Sequence, residues 1–102
     1  MGEGNTSAGL RVEKTMTLTR AEFATSLAAL LGRPVAADGG PVRVALSEGV
    51  VVLSCEPLAA VRLGGLLELP RARVVLAFEG VPPDSRAAFL QRFDIAFQRG
   101  GG

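Results

Sequence analysis

The chain has no histidine, tryptophan or tyrosine, a single cysteine and, beside ten arginines, a single lysine. Without histidine, the usual general base and the commonest transition-metal ligand are both missing. The lone Cys55 excludes an internal disulfide and any multi-cysteine zinc site. All five aromatic residues are phenylalanines, and their spacing buries them. Nothing is left to form the exposed ring platforms on which single-stranded nucleic acids stack. Apolar runs such as Val50-Val51-Val52-Leu53 are strand-sized, far below the roughly 20 residues of a membrane-spanning helix. Met1 to Leu10 has neither the basic start nor the apolar middle of a secretory signal. A cytoplasmic location is therefore expected, with no membrane contact. The net charge of +1 supplies no long-range attraction toward nucleic acid, so nucleic acid is not an expected partner.

What is present is an ordinary globular balance. Apolar residues make up 48% and charged residues 21% of 102 residues, which suits one hydrophobic core. The excess of arginine over lysine, with much Ala, Gly, Val and Leu, matches the coding bias of a GC-rich bacterial genome. Residues 1–10 lack periodicity and read as a flexible leader, residues 11–99 as a single α+β domain, and residues 100–102 as a glycine tail.

Within the domain, Val12, Met16 and Leu18 alternate with Glu13, Thr15 and Thr17 as a first strand, with Lys14 interrupting the apolar side. Thr19 and Glu22 have the spacing of a capping box. Phe23, Leu27, Leu30 and Leu31 follow on one helical face, which Gly32 and Pro34 terminate. Val42, Val44 and Leu46 alternate with Arg43, Ala45 and Ser47, and Ser47-Glu48-Gly49 turns the chain into Val50 to Ser54. Leu58 to Leu63 is a further strand segment after Glu56-Pro57. Leu66 to Leu69 either continues it across a bulge or forms its own short strand. Val74, Leu76 and Phe78 share one face of the last strand, Val75 and Ala77 the other. Asp84 or Ser85 is placed to cap a second helix running to about Arg99, with Phe89, Leu90, Phe93, Ala96 and Phe97 on its apolar side. The expected fold is β-α-β-β-β-β-α, a mainly antiparallel sheet of four or five strands with both helices on one face.

Chemistry-bearing patterns are sparse. The ten carboxylates are scattered singly over strand ends, caps and turns, whereas acid–base work needs two to converge in a cleft. The glycines match neither a dinucleotide fingerprint nor a phosphate-binding loop. The arginine-rich opening and the Asp/Asn-x-Ser-x-x-Gly motif of cyclic-dinucleotide-binding PilZ domains are also missing. Cys55 lacks a base to activate it and reads as a small core residue. Gly101-Gly102 matches the ending of ubiquitin-like carriers, but those tails leave a strand, whereas here a helix precedes them. Arg62, Arg71 and Arg73 cluster around the Pro70 turn and form a candidate patch for a phosphate, a nucleotide or a protein partner.

The most informative pattern is two-sided apolarity. Helices on one face of a sheet leave the other face polar in an ordinary one-sided fold, yet Val50 to Leu53 and Val74 to Phe78 are apolar on both sides. Ala45, Val51, Leu53, Val75 and Ala77 are therefore the candidate residues of a second apolar face, and such a patch commonly marks an interface. A small non-enzymatic accessory domain, needing no cofactor or metal, is expected. A symmetric homodimer is its simplest assembly, with any protein partner unspecified by the sequence.

Overall fold

Thr19 starts the first helix as its sequence predicts: its hydroxyl accepts from the Glu22 amide at 3.1 Å, and the Glu22 carboxylate accepts from the Thr19 amide at 2.8 Å. This reciprocal box satisfies donors that a helix start leaves orphaned. Gly32, at φ 72°, ends the helix in a left-handed conformation. The computed structural model describes residues 9–101 in backbone course, with side chains as far as Gln98. The expected leader lies outside the described residues except for Gly9 and Leu10, and Leu10 already belongs to a strand.

The elements are β1 (Leu10–Met16), α1 (Arg20–Leu31), β2 (Val42–Ala45), β3 (Val50–Leu63), β4 (Leu67–Glu79) and α2 (Pro83–Gly101). All four strands form one antiparallel sheet in the order β1-β4-β3-β2. The expected α+β architecture is thus present with four strands. The segments Val50 to Ser54 and Leu58 to Leu63 are one strand, and the sequence from Leu67 through Pro70 to Glu79 is another.

Pro57 and Pro70, which suggested breaks, are accommodated because neither needs two hydrogen-bonding neighbours. β2 pairs with β3 only as far as Leu53, and β1 pairs with β4 only as far as Ala72. Both prolines lie beyond those limits, on open strand edges where a missing N–H costs little.

Register decides which residues meet the helices. Val12, Met16, Ala72, Val74, Leu76, Phe78, Val51, Leu53, Cys55, Val42 and Val44 share the covered face and pack with α1 and α2 in one core. From the helices come Phe23, Leu27, Phe89, Phe93 and Phe97, all 1% exposed or less. Phe93 stacks on Phe97 at 4.1 Å between ring centroids, Phe97 meets Phe23 at 5.9 Å, and Phe78 meets Phe89 edge-on at 6.1 Å. Lys14, the polar interruption of β1, reaches across the sheet margin to Asp94 of α2 at 3.5 Å.

α2 differs at both ends from its expected course. It begins at Pro83, where proline's fixed φ and missing donor suit a first helical position, so Asp84 and Ser85 lie inside the first turn. It runs through Gly100 and Gly101, since glycine tolerates helical geometry as well as the left-handed one. Gly102 lies outside the described residues.

Candidate functional site

The helices cover one side of the sheet, and its other side is the surface on which the candidate residues must be placed. In an antiparallel pair, directly opposed residues share a face. Val75 stands opposite Glu13 and Ser54, Ala77 opposite Arg11 and Val52, and Ala45 opposite Val50. Ala45, Val75 and Ala77 thus lie together on the helix-free face. Val51 and Leu53 do not. Both are 0% exposed and belong to the core beneath the helices.

The reversal has a simple origin. Leu46 N donates to Gly49 O at 3.0 Å, and Val44 pairs with Val51. An even-numbered core position on β2 therefore selects odd-numbered core positions on β3. The apolar run Val50 to Leu53 carries no phase of its own. Val50 and Val52, which take the open positions, escape notice in the sequence for that reason, although the Val42/Val44 alternation carried through the turn does specify them.

The open face has an apolar head made by Ala45, Val50, Val52, Val75 and Ala77. Val75 is only 8% exposed although neither α1 nor α2 lies on this face. Below the head lies a charged belt. Arg73 meets Glu56, its directly opposed partner on β3, at 3.0 Å and approaches Glu13 at 3.9 Å, while Arg11 Nε donates to Glu13 at 2.9 Å. The Arg11 hydrogen bond, aided by the charges of Arg11 and Arg73, holds Glu13 below its ordinary carboxylate range against a smaller opposing effect of desolvation.

Beyond the belt, β3 and β4 leave the sheet as a two-stranded arm ending at Gly64-Gly65-Leu66. The register shifts between Leu58 and Val61, with two β4 steps answered by three β3 steps. This bulge reverses the alternation of β3. Without it Arg62 would face the open side; with it, Val61 and Leu63 do, opposite Leu69 and Leu67. Arg62 falls on the other side of the ribbon against Glu68, 3.6 Å away. The arm therefore continues the open face as an apolar stripe of Leu58, Val61, Leu63, Leu67 and Leu69. Leu63 and Leu67 are about half exposed, and Leu66 at the tip is 98% exposed.

The three arginines of the candidate anion patch are accordingly not brought together. Arg71 and Arg73 share the open face, Arg73 is engaged by two carboxylates, and Arg62 lies on the opposite side. Cys55 is buried in the core, and burial pushes its thiol pKa up despite the opposing charge of Arg20. Gly101 is helical. Among the described residues no three or more His, Cys, Asp or Glu side chains gather as a metal site, and no helix is long and apolar enough to cross a membrane.

Away from the sheet, α1 and α2 leave a shallow cleft of about 460 Å³ lined by Thr25, Ser26, Ala29, Leu30, Arg92, Ile95 and Ala96. The Ser26 hydroxyl is buried there with no hydrogen-bond partner. Comparison with protein-family models gives no match, and comparisons with curated proteins and with solved structures give no significant one.

Proposed function

We propose that this chain is a non-enzymatic interaction domain that self-associates through the open face of its sheet. The observation that carries this reading is the face itself. Ala45, Val50, Val52, Val75 and Ala77 form an apolar centre on the side no helix covers, bounded by Arg11, Glu13, Arg43, Glu56 and Arg73. An apolar centre inside a charged margin is the composition of a protein–protein contact. Both charge signs are present at the margin, so a second copy of the same face can satisfy it. Two-fold association needs one self-complementary patch and is the commonest form of assembly. The scattered acids, the absence of histidine and the raised Cys55 thiol favour action by contact over catalysis.

The test is a paired substitution at positions that are neither core nor fully exposed. Val52→Arg with Ala77→Arg places two cations at the centre of the face and leaves the helix-covered core untouched. Light scattering is expected to show a dimer for the native chain and a folded monomer for the variant. An unchanged dimer in the variant removes the open face from the interface.

A further inference from the structure

Resting on that reading, the geometry points to a specific partner and pose: we infer that a second copy packs face to face with strands running alongside, so that the two β3–β4 arms pair with each other. The head alone is too small. Three strands of some seven residues and β2 of four, about 4.8 Å apart, present roughly 400 Å² per copy, about 800 Å² for a pair. Stable interfaces bury about 1,200–2,000 Å². Adding the arm, about 10 Å wide and 20 Å long, raises the pair to about 1,200 Å², where that range begins.

The bulge between Leu58 and Val61 fits this role. It costs regular pairing and in return keeps Val61 and Leu63 on the same side as Leu67, Leu69 and the head. Those arm leucines project past the helices, so neither α1 nor α2 covers them. The sheet edges of the arm are also free, yet Pro57 and Pro70 interrupt them at its base, which disfavours edge-to-edge extension and leaves the face as the contact.

Charge selects the direction of the two-fold axis. Glu56 and Arg73 are directly opposed on adjacent strands, midway between head and tip. An axis parallel to the strands, lying between β3 and β4 in the plane of contact, places Arg73 over the partner's Glu56 and the reverse. The same operation lays Leu63 over the partner's Leu67 and Val61 over the partner's Leu69, and its one like-charge contact, Arg11 over the partner's Arg43, falls on the outer strands at the solvent-facing rim, where repulsion is screened. An axis across the strands would instead set Arg73 against the partner's Arg73 and Glu56 against the partner's Glu56, and it would put arm on head. Like charges at an interface are strongly disfavoured. Aligned packing of two twisted sheets tolerates the remaining rotation of about 30°.

A spin label on Leu66→Cys reads the pose, because Leu66 is at the tip and 98% exposed while native Cys55 is buried. Paired arms place the two labels within about 25 Å, and arm on head places them more than about 40 Å apart, given about 3.3 Å per residue from the belt. Leu63→Asp with Leu67→Asp is a second probe and is expected to weaken the dimer at least about tenfold in Kd with the fold intact. A dimer with distant tips, or one indifferent to the two aspartates, overturns arm pairing and leaves open-face association standing. A chain that stays monomeric at millimolar concentration overturns both.

Discussion

Single residues in this molecule carry demands that differ sharply between neighbours of the same type. Gly49 and Gly64 both have positive φ, at 82° and 65°. A methyl group on Gly49 would collide with the Glu79 carbonyl and with Gly80, whereas one on Gly64 meets open space. Gly49→Ala is expected to cost more than about 2 kcal/mol, and Gly64→Ala about 1 kcal/mol from the left-handed backbone alone. Urea unfolding of the two variants checks the order, and equal losses would contradict it. In the core, Phe93→Ala should cost about 3–5 kcal/mol, a large part of the about 5–15 kcal/mol that holds a typical domain together. Glu13 gives a pH prediction. Its carboxyl is held below the ordinary range by Arg11, so its ion pairs stabilise the fold above its unfolded pKa. That contribution is lost as pH falls through the lower folded pKa. Arg11→Ala should move the Glu13 carboxyl midpoint upward in an NMR titration; an unmoved midpoint would show that the hydrogen bond is not its cause.

At the level of elements, legibility followed local signals. Helix α1 was readable because Thr19, Glu22 and Gly32 each state a boundary in their own chemistry. The covered faces of β1, β2 and β4 were readable from alternation. The strand count was obscured by Pro57 and Pro70, whose tolerance depends on where β1 and β2 stop, a fact no local pattern contains. The faces of β3 were obscured because Val50 to Leu53 is apolar at every position, so Val51 and Leu53 look as available as Val50 and Val52. The bulge beyond Leu58 was invisible for the same reason: Arg62 has no local mark showing that it turns away from Arg71 and Arg73. The arm is the element with least support from its own chain, since an isolated two-stranded ribbon is marginal in water. Replacing residues 59–70 with an Asn-Gly turn joining Leu58 to Arg71 should leave the unfolding midpoint within a few degrees and abolish or weaken association. A collapse of the fold on excision would instead make the arm part of the core structure.

For the whole molecule, one covered face and one open face divide the labour. The phenylalanine-rich core beneath α1 and α2 supplies stability without using Ala45, Val50, Val52, Val75 or Ala77. Those residues, the Glu13–Arg73–Glu56 belt and the arm together form a surface about 45 Å long, set by the length of β3. Its principal extent agrees with the 51 Å long axis of the molecule. On the proposed reading, this surface is met by a second copy of the same shape. Sedimentation equilibrium of the native chain from micromolar to millimolar concentration tests this most directly. The expected result is a mass of two chains, approached reversibly as concentration rises. A mass of one chain across the whole range would contradict it.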